Sequence, residues 1–184
     1  MAGPGPEEDH RGAGSAAPEA FCVGADLKER DRLTDADLMA QRIVFRRAFA
    51  SILHLPVPVV AAVHGFALGG GTQLLPRRVG YGVAADLILT GRHVAAVEAA
   101  RLGLVDRLVS AGGDLEAATE LAARIADNSP VAVSNARNAI RRGLDVDLAA
   151  GLDIEDSAWR ATVFSDDRRE GVRAFVERRP PNWP

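Results

Sequence analysis

The sequence predicts an α/β first half followed by an all-helical C-terminal part, and three observations carry that reading. A run of β-branched and small residues, VVAAVHGFA, sits after a proline-marked break, as expected of a buried strand. Glycines punctuate the first half. From Asp114 onward the apolar residues recur at helical spacing, with glycines and polar caps between the segments.

Composition sets the outer limits. With 184 residues, 47% apolar and 26% charged, the chain is long enough to bury a core of its own. A net charge of -3 argues against a surface that tracks phosphate backbones, so no nucleic-acid partner is expected. All basic residues but Lys28 are arginine, and pairs such as Arg141-Arg142, Arg168-Arg169 and Arg178-Arg179 read as solvated helix faces. Cys22 is the single cysteine, which excludes an intrachain disulfide and fits a reducing, cytoplasmic setting. The first twenty residues lack a basic patch followed by an apolar run, and no apolar window reaches membrane-spanning length. The expectation is a soluble protein without a secretory signal or a membrane partner.

Taken in order, residues 1–19 are dominated by Gly, Ala, Pro and acidic residues and read as a disordered tail. AFCVGADLKER is a short apolar step into a Gly-Ala-Asp turn and then a polar helical start. Thr34 with Asp37 three positions on resembles a capping box, and LMAQRIVFRRAFASIL keeps helical spacing, so a helix is predicted over Asp35 to Leu53. Pro56 and Pro58 break it before the VVAAVHGFA strand, which Gly69, Gly70 and Gly71 end. Helices follow over Gly82 to Leu89 and Val94 to Arg101, with Gly103 as the stop, then a short strand over Leu104 to Val109. The remaining predictions are helices over Leu115 to Ala126, Val131 to Arg142 closed by Gly143, Asp147 to Val163 and Arg168 to Glu177. The domain organisation expected is a tail (1–19), a core (20–109) and a helical region (110–184).

The common nucleophile and cofactor signatures are absent: there is no G-x-S-x-G elbow, no phosphate loop and no strand-bound G-x-G-x-x-G. His10, His54, His64 and His93 lie far apart with no metal-ligand spacing, so no metal is expected and His64 reads as structural. What remains is two turns, Gly24-Ala25-Asp26 and Gly69-Gly70-Gly71, each offering backbone N–H groups. Small residues let the main chain approach a ligand closely, and two converging donors can hold a developing oxyanion.

At this point four blocks agree with a known pattern. FCVGADLKER, PVPVVAAVHGFALGGG, GTQLLPRRVG with ADLILTGRHVAAVEAARLGLVDRLV, and SDDRREGVRAFVERRPP resemble, in order from about Ala20 to the C-terminus, the enoyl-CoA hydratases of the crotonase superfamily. The resemblance implies a crotonase-like spiral of ββα units and a helical C-terminal trimerisation region, hence a homotrimer or hexamer. It implies acyl-CoA thioester substrates and no separate cofactor, coenzyme A being part of the substrate. It assigns the thioester oxygen to the backbone N–H groups of Ala25 and Gly70, and CoA contacts to Ala25, Asp26, Leu27, Lys28 and Gly70. It also sets Trp159 and Arg178 where aromatic and basic residues meet the nucleotide end of CoA.

The departure from that pattern is local. In the family the glycine run leads into a helix beginning Cys-Glu-Leu, a strand, a Pro-Glu loop, and only then a second glycine-rich turn with Gly-Gly-Thr-Gln. Here Gly71 runs straight into Thr72 and Gln73. The two glutamates that position water and move protons in reversible hydration of a 2-enoyl-CoA to a 3-hydroxyacyl-CoA are thereby absent. Strands that precede FCVGADL in the family are replaced by the tail, so the core is expected to be incomplete. Two alternatives stay beside impaired hydratase activity: a non-catalytic CoA-binding or assembly subunit, and a decayed gene product.

Overall fold

The computed structural model describes residues 19–68 and 75–184. These form two compact units, one containing residues up to Leu33 and Ala62–Leu115, the other Thr34–Ala61 and Glu116–Pro184.

The first unit starts with β1 (Ala20–Cys22), which pairs in parallel with β2 (Phe66–Ala67). Phe66 N–H donates to Glu19 O at 3.1 Å and Leu68 N–H to Cys22 O at 2.7 Å. Gly65 lies beside this ladder at φ +57°, and a Cβ there would overlap the Glu19 carbonyl. Glycine is therefore required twice over, by dihedral and by space. Between the strands comes α1 (Leu27–Arg30), and after them α3 (Leu75–Thr90), broken at Gly80, and α4 (Ala96–Arg101). The core is small: Ala84 and Leu87 are buried, with Val79, Val83, Val94 and Leu104 packed against them.

Two expectations fail here, for one reason. The VVAAVHGFA segment is not a buried strand: only Phe66 and Ala67 are extended into a ladder, both exposed, and Val59 and Val63 are left half-open. Leu104 to Val109 forms no strand either. A β-branched run makes a strand only where another strand supplies ladder partners, and among the described residues the sheet has two strands. The helix predicted over Gly82 to Leu89 is the second part of a longer element that begins at Leu75.

The second unit is helical: α2 (Asp35–Leu53), most of α5 (Asp114–Ala126), α6 (Pro130–Gly143), α7 (Leu148–Val163) and α8 (Asp166–Glu177). Side-chain caps fix the starts. Thr34 and Asp37 close a reciprocal capping box on α2, Ser129 caps α6, Asp147 caps α7 and Ser165 caps α8. Buried Asp167 accepts from Ser129 Oγ at 2.5 Å and from Val131 N–H at 3.2 Å, joining the start of α8 to the start of α6. Asn135 Nδ2 donates to Thr162 Oγ1 at 3.0 Å, joining α6 to α7. At the end of α2, Arg137 and Arg141 both donate to the Leu53 carbonyl, satisfying a helix-end acceptor. No helix among the described residues is long and apolar enough to cross a membrane.

Candidate functional site

The turn between β1 and α1 is built by three residues. Gly24 takes φ +79°, which reverses the chain after the strand. Asp26 then caps α1: its Oδ1 accepts from Lys28 N–H at 2.8 Å and from Glu29 N–H at 3.3 Å. Ala25 stands between them, half-buried, and no described residue accepts a hydrogen bond from its N–H. The carboxylate of Asp26 is thus committed to holding the turn, while the Ala25 N–H has no acceptor among the described residues. Leu27 is 76% exposed, and Lys28 is exposed beside it.

The turn brings Ala25, Asp26, Leu27 and Lys28 together. Gly70, the second donor assigned from the sequence, lies outside the described residues, as do Gly69 and Gly71. Trp159 and Arg178 belong to the helical unit. Trp159 is an exposed α7 residue bordering a shallow depression with Leu152, Glu155 and Asp156. Arg178 ends α8 in a left-handed conformation with φ 54° and ψ 42°.

Asp86, Glu98, Asp106 and Asp114 of the first unit are engaged elsewhere. Arg92 gathers two of them: Nε donates to Asp86 Oδ2 at 2.7 Å, and Nη2 and Nη1 donate to the two oxygens of Glu98 at 2.8 and 3.2 Å. The Arg92 hydrogen bonds hold the Glu98 carboxyl below its ordinary range, and Glu98 and Asp86 push the Arg92 guanidinium up. A carboxylate stabilised as the anion in this way is a poor proton acceptor. Arg78 pairs with Asp106 and donates to Gly103 O. Glu29 is exposed on α1. His64 Nδ1 lies 3.5 Å from Asp114 Oδ2, a contact that residues fifty apart in sequence gave no sign of. The Arg92 hub had a faint signal, an acidic residue six positions to either side of an arginine. Cys22 is a free, half-buried thiol, and among the described residues no His, Cys, Asp or Glu cluster could hold a metal.

Comparison with known proteins settles the family. The family model described as Enoyl-CoA hydratase/isomerase matches residues 13–75 and 70–184, so Gly70 to Leu75 belong to both pieces. YngF of Bacillus subtilis, whose name carries the same description, is 40% identical over 194 aligned positions, covering 88% of this chain and 75% of that protein. Since 88% of 184 residues is about 162, about 32 of those positions have no counterpart here. Mouse Enoyl-CoA hydratase domain-containing protein 2, mitochondrial, is 35% identical, covering 92% of this chain and 70% of its own. Among solved structures, an enoyl-CoA hydratase from Bacillus anthracis superposes with a TM-score of 0.88 at 36% identity, covering 92% of this chain and 79% of that one. DspI of Pseudomonas aeruginosa superposes with a TM-score of 0.86 at 29% identity, covering 93% and 78%. The chain belongs to the enoyl-CoA hydratase/isomerase family and has its crotonase fold, with a gap inside the family pattern.

Proposed function

From membership of this family we propose that the chain binds acyl-CoA thioesters, with the thioester oxygen held by the N–H groups of Ala25 and Gly70 and the CoA lying along Ala25, Asp26, Leu27 and Lys28. Trp159 and Arg178 take the nucleotide end. The observation that carries this reading is the Ala25 N–H, unclaimed by any described residue in a turn that Asp26 holds in shape.

Hydration of a 2-enoyl-CoA needs more than an oxyanion site. Water must be positioned, and a proton must pass to the α-carbon as the hydroxyl adds to the β-carbon. A positioned general acid/base contributes about 10²- to 10⁴-fold and an oxyanion donor about 10²- to 10³-fold. This chain keeps the second and lacks the two family glutamates that supply the first, so binding survives where turnover is impaired. Asp86 and Glu98 do not replace them, being tied to Arg92.

The test is a thermal unfolding scan with and without acetoacetyl-CoA, an enolisable thioester suited to an oxyanion site. A cooperative transition that ligand shifts upward supports the reading, because a ligand bound only by the native state stabilises it. Hydration of crotonyl-CoA at a rate comparable to a complete family member overturns the impairment.

A second reading is an assembly subunit that joins complete family members. The exposed apolar stripe Val172, Phe175 and Val176 on α8 favours it, since large uncovered side chains at helical spacing mark association surfaces. On this reading residues 110–184 form the associating region, residues 20–109 the truncated core, and trimers or hexamers are the assembly. A reducing compartment such as the cytoplasm suits the free Cys22.

A further inference from the structure

Among the described residues three arginines are half-buried: Arg137, Arg141 and Arg179. Arg179 has carboxylate partners, Glu170 and Glu177, each at 2.6 Å. Arg137 and Arg141 have none among the described residues. Both lie on α6, four positions apart and so on one face, and both reach the end of α2, which belongs to the same unit. Arg137 Nη2 donates to Leu53 O at 3.0 Å, and its Nη1 lies 3.4 Å from Asn138 Oδ1. Arg141 Nη1 donates to the same Leu53 oxygen, and its Nη2 lies 3.4 Å from Nδ1 of His54, the exposed C-cap of α2.

The end of α2 does not account for two cations. A helix C-terminus is equivalent to about half a negative charge, and one guanidinium satisfies the Leu53 carbonyl. Two bring two full positive charges to a single oxygen, at an i,i+4 spacing of like charges that by itself destabilises a helix. Partial burial sharpens the repulsion, because less water lies between the groups to screen it. The Nε–H groups of both arginines donate to no described residue. Surplus positive charge and spare donors therefore meet at one place on the helical unit.

We infer that Arg137 and Arg141, beside His54, form a binding site for a small oxyanion of the phosphate class. Guanidinium forks match phosphate oxygens two at a time, and a pair of them balances a dianion. The shared Leu53 carbonyl holds the two forks side by side, so little ordering is left for the anion to impose. The site shares no residue with the acyl-CoA contacts proposed above, and neither proposal depends on the other.

The experiment titrates the whole chain with inorganic phosphate and, separately, with glycerol 3-phosphate, at one fixed pH and at constant ionic strength set with chloride. The His54 ring protons, identified by their loss in His54→Gln, report occupancy by NMR. They are expected to shift and saturate while those of His64 and His93, in the other unit, stay in place. Arg137→Gln keeps an amide donor for Leu53 O and leaves Arg141 untouched, and phosphate is expected to bind it about tenfold more weakly, the scale of one charge-assisted contact. Arg141→Gln is expected to lose as much, and the double variant to lose saturation altogether. Arg137→Lys, which keeps the charge and gives up the fork, falls between and retains the cap whatever the glutamine variants do to folding. Saturation by both ligands identifies phosphate esters as occupants, and saturation by inorganic phosphate alone identifies the free ion. Saturation by neither overturns the inference. So does saturation at the same concentration in the unaltered chain, the glutamine variants and Arg137→Lys, because the arginines then serve only as a helix cap.

Discussion

The two units of this chain have fared differently. In the first, the described residues buried outright are Ala20, Ala84 and Leu87, while Phe66, Tyr81, Ile88 and Leu89 stay exposed, Tyr81 by 87%. In the second, helices begin on side-chain caps and are joined by buried polar contacts, the Ser129–Asp167 pair above all. A helix satisfies its backbone within its own segment, whereas a strand depends on partners elsewhere in the chain. Losing part of a spiral of ββα units therefore removes hydrogen-bond partners and core from the sheet-based part and leaves helices able to form. The second unit also exposes large side chains on or at the end of its helices, Leu148, Phe164 and Phe175 among them, as α3 of the first does with Tyr81, Ile88 and Leu89.

The sharpest way to break this comparison is to repair the first unit. Inserting the corresponding segment of a related hydratase between Gly71 and Thr72 supplies, on the reading proposed above, both family glutamates and the elements that carry them. Crotonyl-CoA hydration is expected to rise about 10²- to 10⁴-fold over the unrepaired chain, the range of a positioned acid/base. Amide exchange in Ala20 to Cys22 is expected to slow at the same time, as the sheet gains partners. Equal activity before and after repair means that the acid/base function resides elsewhere and that the first unit is not the damaged one.

Single substitutions sharpen the contrast within each unit. Asp167→Ala leaves the Ser129 hydroxyl and the Val131 N–H without their buried acceptor, and about 2–3 kcal/mol of stability is expected to go, read by urea unfolding of the helical signal. Asp167→Asn, which can still accept, should lose less. In the first unit, Gly65→Ala forces a Cβ into the Glu19 carbonyl at a positive φ, at a cost of about 1–2 kcal/mol. Its readout is local: amide protection at Phe66 and Leu68 disappears while the urea midpoint of the helices holds. A shift of the helical midpoint by Gly65→Ala equal to that of Asp167→Ala ends the distinction between the units.

What was legible in the sequence divides along the same line. The bounds of α2 follow from Thr34, Asp37 and a run of helical spacing, and the structure has them at the same residues, Asp35 and Leu53. α7 begins one residue later than read because Asp147 is its cap. Such signals are local, so a gap elsewhere in the family pattern does not erase them. The strand over VVAAVHGFA was misread because its residues record a propensity, while its realisation needs ladder partners, and among the described residues the sheet has two strands. The site shows the same split. Gly24, Ala25 and Asp26 announce their turn within three residues, whereas the Arg92 hub and a C-terminal clamp, in which Arg179 holds Glu170 and the Trp183 indole N–H donates to Asp127 O, depend on where long side chains land. The clamp spans nine residues from Glu170 to Arg179 and fifty-six from Asp127 to Trp183, distances over which no sequence period speaks.

The smallest expected effect concerns that clamp, and its sign follows from Glu170. The Arg179 guanidinium, and after it the Asn182 N–H, lower the Glu170 carboxyl to about 2. A carboxylate depressed in the folded state contributes stability that is fully present above its unfolded value, about 4.3, and is lost as pH falls through the folded one. The clamp is therefore expected to be indifferent to pH between about 5 and 8 and to open progressively from about 4 towards 2. Trp183 reports the change, and Trp159→Phe removes the only other tryptophan signal. In that background, fluorescence should hold steady to about pH 5 and change below it, and Glu170→Gln should show the opened signal already at neutral pH. An opening midpoint at or above the ordinary carboxylate value would mean that Arg179 does not hold Glu170 in solution.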